Sequence, residues 1–305
     1  MNVFSYSGPP PKYKLYGKGE RKILIFPSWI NTPYEENNNV VVDIWEPKSF
    51  SSAVILLHSW GEGRGGYSEL MGKTLYEEGF LSLRLHLPYH IARTPSGHSS
   101  GALFLTLDLE SSLTSFRQAV VDARTLIDFI ISHYSVSVIG GVGISLGAII
   151  LLTLIGVEER MECGVSILGG GNLTDIVAKG VATLPLMLAG VRKGLRWRHY
   201  LQVRKDFEKF LKEIEEKGME KVEAPWLWFW FDPLTYAKPG KKVLFINALF
   251  DLVIPLPCVL RVRRKMGNPP IVWLPCSHFT SFLFYPVIIR KTLEFLKVNL
   301  KKNGE

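Results

Sequence analysis

The pentapeptide Gly143–Gly147, with the sequence GISLG, constrains the fold of this chain more than any other feature. It lies between the apolar runs Ser135–Val142 and Ala148–Ile155. These runs predict a buried strand before the pentapeptide and a helix after it, joined by a sharp turn. A serine on such a turn exposes its hydroxyl above the edge of a sheet, and the flanking glycines let strand and helix pass closely. The pattern therefore predicts that Ser145 is a nucleophile.

Strands and helices alternate along most of the chain. Continuous apolar runs such as Ala53–His58 are typical of strands that are buried on both faces of a parallel sheet. We therefore expect one α/β domain over residues 1–305, with a doubly wound, mainly parallel sheet and right-handed crossovers. The predicted strands are Lys22–Phe26, Val40–Trp45, Ala53–His58, Phe80–Leu87, Ser137–Val142, Gly164–Leu168, Lys242–Asn247 and Ile271–Leu274.

The alternation stops between residues 170 and 240. Leu173–Val191 and Arg198–Lys217 predict helices, and Pro225–Phe231 (PWLWFWF) is densely aromatic. We interpret residues 170–240 as a helical cap that is inserted after the sixth strand. Its apolar side chains either form a lid that excludes water from Ser145 or attach the cap to the sheet.

A serine hydroxyl needs a histidine to take its proton and a carboxylate to hold that histidine. Asp251 and His278 each follow one of the last two predicted strands. The loops at the carboxyl ends of the strands are where open α/β sheets bind ligands. We therefore predict Asp251 as the acid and His278 as the base for Ser145. Asp232 is the alternative acid, but it precedes its strand.

Acyl transfer also needs backbone donors aimed at the developing oxyanion. We assign this role to the N–H of Leu146, which follows the serine, and to the N–H of Trp60. Trp60 lies in the glycine-rich loop after Ala53–His58. A phosphate-binding loop is the alternative, but this segment lacks both the GK[ST] ending and the G-x-G-x-x-G spacing.

The loop Leu87–Gly101 leaves a strand at the same edge of the sheet. Two roles stay open for Arg93, which either holds a substrate carboxylate or phosphate or braces the loop through carbonyl groups. His58 and His90 are further candidates for substrate contact because they lie near this edge.

Composition excludes several other classes of protein. The net charge is +8, but Lys and Arg concentrate in Val191–Lys221 and in the last helix, mixed with Glu. This mixture favours a solvated helical surface over a nucleic-acid site, and membrane contact through Val191–Arg204 is the less favoured interpretation. Three cysteines are too few for a disulfide framework or a zinc site. We expect no metal, no cofactor and, without a signal peptide or a transmembrane segment, a cytoplasmic protein.

The chain resembles the α/β-hydrolase superfamily, most nearly its dienelactone-hydrolase-like and acyl-peptidase-like esterases. The resemblance covers roughly Val40–Asn299 and rests on four segments, His58–Gly61, Gly143–Gly147, Asp232–Asp251 and Ser277–His278. It implies the α/β-hydrolase fold, a triad of Ser145, Asp251 and His278, and an oxyanion hole formed by Trp60 and Leu146. One position departs from the family pattern, since Ser59 stands where a glycine is usual.

These observations predict a serine hydrolase that cleaves small carboxylic esters with an apolar acyl or aromatic group. A peptidase or acyltransferase that uses the same three residues is one alternative. The other is a non-catalytic hydrolase-fold protein that binds a small or lipid-like ligand. A distance between Ser145 and His278 well beyond hydrogen-bond reach would favour that binding protein. The sequence predicts no oligomeric state.

Overall fold

The computed structural model describes residues 3–8 and 10–300, and nine strands of this part form one sheet. The strand order is β1-β2-β3-β5-β4-β6-β7-β8-β9; strands β4 to β9 are parallel, and β1 to β3 join antiparallel at one edge. The prediction of a mainly parallel sheet is confirmed. The strands are β1 (Lys14–Tyr16), β2 (Arg21–Pro27), β3 (Asn39–Trp45), β4 (Ser52–Leu57), β5 (Leu81–Leu85), β6 (Val138–Ile144), β7 (Met161–Ile167), β8 (Lys242–Ala248) and β9 (Ile271–Leu274).

Helices cover both faces of this sheet. The first four are α1 (Glu35–Asn38), α2 (Tyr67–Glu77), α3 (Leu109–His133) and α4 (Leu146–Val157). Four more lie between β7 and β8, namely α5 (Leu173–Lys179), α6 (Leu184–Arg192), α7 (Trp197–Lys217) and α8 (Pro233–Tyr236). The last two are α9 (Leu256–Lys265) and α10 (Tyr285–Leu300).

Strand β4 shows why the central strands are apolar at every position. Val54 and Leu56 pack into a core with α2 and α10 on one face of the sheet. Ile55 and Leu57 point to the other face, where their core includes α3 and α4. Because successive side chains of a strand alternate between faces, a strand that is covered on both sides needs apolar residues throughout.

Two sequence expectations need correction. Strand β1 was not predicted, because its three residues are all exposed and give no apolar signal. The cap segment, as we call residues 170–240, therefore follows the seventh strand instead of the sixth. The predicted helix Leu173–Val191 is also broken after Lys179. Gly180 is extended there, and Pro185 in the first turn of α6 suits a helix start because proline has no N–H to donate.

No single helix in residues 3–8 and 10–300 is long and apolar enough to cross a membrane. Helix α5 and the segment Val181–Arg192 meet the length and composition criteria only as a pair, which is bent by 70°.

Candidate active site

Ser145 occupies a strained turn between β6 and α4. Its φ of 54° and ψ of −110° lie in a region that residues with a Cβ rarely adopt. The glycines on either side make the turn possible. A Cβ at Gly143 would lie 2.4 Å from the carbonyl oxygen of Gly147, and a Cβ at Gly147 would lie 2.0 Å from that of Leu57. The serine is thus held where the helix crosses directly over β4.

We expect Gly147→Ala to lower the free energy of unfolding by about 3 kcal/mol or more, because its methyl group would meet backbone that cannot move aside. Urea denaturation measures this effect. Gly63→Ala is the matched control, since a Cβ there meets nothing within 4 Å. Equal stability of the two variants would contradict the close helix–strand approach.

The structure brings the predicted serine, histidine and acid together. Ser145 Oγ lies 2.9 Å from His278 Nε2, and His278 Nδ1 lies 2.7 Å from Asp251 Oδ2. The other oxygen of Asp251 accepts hydrogen bonds from the N–H groups of Val253 and Ile254, both at 2.8 Å. These bonds fix the carboxylate, so His278 donates from Nδ1 and presents Nε2 as an acceptor to the serine hydroxyl.

The alternative acid, Asp232, lies away from His278, between the two ends of the cap segment. Its carboxylate is buried and accepts the N–H groups of Asn172 and Leu173 at the start of α5 and of Leu234 in α8. Burial raises the pKa of this carboxyl above its usual value. Asp232 therefore joins the two ends of the cap segment and does not contact His278.

Trp60 and Leu146 line the same cavity as Ser145. Leu146 is the first residue of α4, so its N–H has no partner within the helix. The indole N–H of Trp60 donates to the carbonyl oxygen of Gly101 at 2.9 Å, which fixes this loop. Neither backbone N–H has a protein acceptor in the described part of the chain. Both are therefore available to an oxygen beside Ser145.

Glu62, which the sequence reasoning missed, holds the loop that carries Trp60. Its buried carboxylate accepts the hydroxyl of Ser59 at 3.0 Å and the N–H of Ser59 at 3.3 Å, and it also accepts both groups of Ser68. Ser59, which stands where the resemblance led us to expect a glycine, thus donates hydrogen bonds to Glu62 and does not adopt a positive φ. The spacing Ser-x-x-Glu was the signal that could have identified this contact.

Of the two roles left open for Arg93, the structure supports bracing of the loop; the side chain is fully buried, so the expectation of a substrate contact is corrected. Arg93 forms an ion pair with Asp122 of α3 at 2.8 Å. Its guanidinium also donates to the carbonyl oxygens of Asn37 and His86. A buried cation needs partners of this kind because desolvation is costly.

His58 and His90 are also buried, and neither lines the cavity. His58 Nε2 accepts the N–H of Leu87 at 2.9 Å, while Nδ1 donates to the carbonyl oxygen of Ser59 at 2.8 Å. His90 Nδ1 donates to the carbonyl oxygen of Pro88 at 2.7 Å. Burial lowers the pKa of His58 well below its usual value and that of His90 to about 4. Both rings therefore support the loops behind the site as neutral groups, and the expectation of substrate contact is corrected for both.

The lowered pKa of His90 predicts acid sensitivity. Between the ordinary value of 6.5 and about 4, the unfolded chain binds a proton that the folded chain excludes. The free energy of unfolding should therefore fall by about 3 kcal/mol as the pH drops through this range. His90→Asn keeps a donor for Pro88 but does not titrate, so it should reduce this dependence in urea titrations at pH 7 and pH 4.5, while the part that His58 contributes remains. An unchanged slope would contradict the assignment to His90.

An apolar cavity of about 300 Å³ opens beside Ser145. The helices of the main domain and those of the cap segment both contribute to its wall, together with the loop after Asp251. Trp228 contributes to this wall, whereas Phe229 and Trp230 pack against Phe207 and Phe210 of α7. These two contacts lie within the cap segment, whereas Phe231 packs edge-on against Phe4 outside it, with ring centroids 5.6 Å apart. The aromatic segment thus both encloses the cavity and attaches the cap. The apolar lining includes Phe104, Phe116, Ile149, Ile176, Leu186, Met187, Val203, Trp228, Val253 and Ile254.

Comparison with known sequences gives distant relatives. No family model matches the chain. Uncharacterised proteins from two strains of Mycobacterium tuberculosis, CDC 1551 and H37Rv, are 25% identical to it over 226 residues, which is 73% of this chain. The chain spans about half the length of these curated relatives, at 48%.

Solved structures are more informative about the architecture. A Pyrococcus furiosus esterase superposes with a TM-score of 0.57 at 17% identity, covering 95% of this chain and 92% of its own. Acetyl xylan esterase 1 from Thermoanaerobacterium gives 0.58 at 17%, covering 93% and 88%. The Pyrococcus horikoshii acylaminoacyl peptidase gives 0.59 at 16%, covering 96% of this chain and 51% of its own. The strand order, the serine turn and these likenesses together identify the architecture of this chain as the α/β-hydrolase fold.

Proposed function

We propose that this protein is a serine hydrolase that cleaves carboxylic esters through an acyl-enzyme intermediate. The observation that carries the proposal is the hydrogen-bonded series from Ser145 through His278 to Asp251, with distances of 2.9 and 2.7 Å. The similarity to structures of esterases supports a hydrolase of this general kind.

In the acylation step, Ser145 Oγ attacks the carbonyl carbon of the ester while His278 Nε2 takes its proton. The N–H groups of Trp60 and Leu146 stabilise the oxyanion of the tetrahedral intermediate. His278 then gives its proton to the leaving alkoxide oxygen as the bond between that oxygen and the carbonyl carbon breaks. Asp251 holds the imidazole orientation and stabilises the imidazolium that forms.

In the deacylation step, water takes the place of the departed alcohol. His278 accepts a proton from this water as its oxygen attacks the acyl carbon, and the second tetrahedral intermediate uses the same two N–H donors. Collapse returns the proton to Ser145 Oγ and releases the carboxylic acid.

The cavity supports a substrate with an apolar acyl or aromatic group. About 300 Å³ of space lined almost wholly by carbon is suited to a group that gains free energy on leaving water. The distance from Ser145 to His278 is within hydrogen-bond reach, which favours an enzyme over the non-catalytic binding protein considered from the sequence. An exchange of the attacking water for an amine or alcohol would turn the same chemistry into acyl transfer.

Labelling with a fluorophosphonate probe tests the proposal, with mass spectrometry to locate the adduct. We expect one adduct at Ser145 in the native protein, none in Ser145→Ala and none after heat denaturation. Ser99→Ala, which removes an exposed hydroxyl on a nearby loop, should label like the wild type. An adduct at another residue, or no adduct on the folded protein, would contradict an activated Ser145.

Turnover of a series of substrates measures the preference for the acyl group and for the leaving group. We expect turnover of p-nitrophenyl esters to rise from the acetate to longer acyl chains or to the benzoate, because these fill the apolar cavity. Faster cleavage of an acyl-peptide anilide than of any ester would favour the peptidase alternative.

A further inference from the structure

We propose that the face of the molecule formed by α6, residues 192–198 and the two loops 249–252 and 279–283 docks on an anionic lipid surface. We call it the docking face. Exposed apolar side chains and unpaired cations occur together on it. The docking does not depend on the proposed ester cleavage.

Some apolar side chains of helix α6 line the cavity, and others are exposed to solvent. Leu186 and Met187 line the cavity. Leu184, Leu188 and Val191 are 52%, 53% and 48% exposed, and no residue of α6 is buried. The spacing of four and three residues places these three side chains on one face of the helix. The helix therefore separates the cavity from solvent and presents an apolar stripe outward.

The loop that carries the acid, 249–252, and the segment directly after the histidine, 279–283, extend this apolar surface. The N–H of Val181 donates to the carbonyl oxygen of Leu252 at 2.9 Å, which joins the segment before α6 to the first loop. The N–H of Phe250 donates to the carbonyl oxygen of Cys276 at 3.0 Å, which joins the first loop to the second. Each of the following side chains is 66% exposed: Phe250, Leu252, Phe279 and Leu283. Large apolar side chains that are exposed together on neighbouring segments are typical of an interaction surface.

The excess of positive charge beside this surface indicates an anionic partner. Residues 176–205 contain seven Lys or Arg and no Asp or Glu. Lys179 pairs with Asp175, whereas the other six are exposed and form no ion pair with any residue that the structure describes. These six are Arg192, Lys193, Arg196, Arg198, Arg204 and Lys205. Arg192 is the last residue of α6, and Lys193, Arg196 and Arg198 come within six residues after it, so cations lie at the end of the apolar stripe.

An apolar helical stripe with adjacent Lys and Arg is the pattern of helices that lie in a bilayer interface. The apolar side chains enter the boundary of the acyl chains, and the cations attract anionic headgroups. A nucleic acid would use the cations but leave the leucines and phenylalanines in water. An anionic lipid surface satisfies both features and places the cavity wall against a phase that holds acyl esters.

Vesicle co-sedimentation tests this docking. The probes are vesicles of phosphatidylcholine alone and of equimolar phosphatidylcholine and phosphatidylglycerol, at 0.1 M salt. We expect the wild type to sediment with the anionic vesicles and to remain in solution with the neutral ones. Two variants should each lower the partition coefficient at least tenfold: the stripe variant Leu184→Ser/Leu188→Ser/Val191→Ser and the charge variant Arg192→Gln/Lys193→Gln/Arg196→Gln/Arg198→Gln.

Ile131→Ser/Val298→Ser is the matched control. It removes exposed apolar side chains of α3 and α10, outside the docking face, and should bind like the wild type. Circular dichroism verifies that each variant is folded. Sedimentation is measured without any ester substrate. The docking result therefore stands whether or not the protein hydrolyses esters.

Three outcomes would overturn the docking proposal. The first is the absence of sedimentation with anionic vesicles, and the second is equal sedimentation of the wild type and the stripe variant. The third is self-association in light scattering that the stripe variant abolishes, because this would assign the face to a second copy of the chain.

Discussion

Replacing Ser145 with alanine is expected to lower kcat for a p-nitrophenyl ester by about 10⁶-fold, the loss typical when a serine nucleophile of this kind is removed. The hydroxyl that forms the acyl-enzyme is then absent, whereas the cavity and the backbone donors remain. The variant should unfold within about 1 kcal/mol of the wild type, because only one oxygen atom is lost from a partly exposed position. Stopped-flow kinetics and urea denaturation measure the two quantities.

A binding measurement on the same variant strengthens this test. The alanine variant should still bind a non-hydrolysable phosphonamide or product acid, because the apolar cavity beside Ser145 is intact. A variant that keeps a tenth of the wild-type kcat would show that Ser145 is not the nucleophile. The histidine and the carboxylate would then need another role.

Asp251→Asn is expected to lower kcat by about 10⁴-fold with little change in the fold. The amide oxygen of the asparagine can still accept the N–H groups of Val253 and Ile254, which the carboxylate holds at 2.8 Å. Its NH₂ group would then face His278 Nδ1 and favour the tautomer with the proton on Nε2. In that tautomer the imidazole cannot take the proton of Ser145.

Asp232→Asn is the control for this experiment. This carboxylate accepts three N–H groups in the interior, so its loss should lower stability while kcat of the folded fraction stays within a few-fold of the wild type. If Asp232→Asn lost 10⁴-fold in kcat and Asp251→Asn did not, the assignment of the acid would be wrong.

Eight of the nine strands and the placement of Ser145, Asp251 and His278 could be predicted because both depend on local signals. A continuous apolar run such as β4 specifies a buried strand by itself. The carboxyl ends of parallel strands then bring distant loops to one edge of the sheet. The distance of 2.9 Å between Ser145 and His278 follows from this topology and from the sharp turn at the serine.

The features that were not predicted correctly depend mainly on contacts with residues that are far away in sequence. Arg93 looks like a surface cation of a polar loop, and only the position of Asp122 on α3 explains its burial. Strand β1 is held by pairing with β2 and carries no apolar pattern of its own. The break before α6 had a signal in the local sequence, because Gly180 and Pro185 both lie within the segment that was predicted as one helix.

The packing of α4 against β4 has an electrostatic consequence. Every residue from Leu146 to Ile155 is buried, and the sequence of α4, LGAIILLTLIGV, contains no charged side chain. The peptide dipoles of this helix add up along its axis, with their positive end beside Ser145. In surroundings without mobile ions that field is weakly screened. The helix thus acts as a fixed partial cation, about half an elementary charge, directed at any negative charge that develops beside the serine hydroxyl.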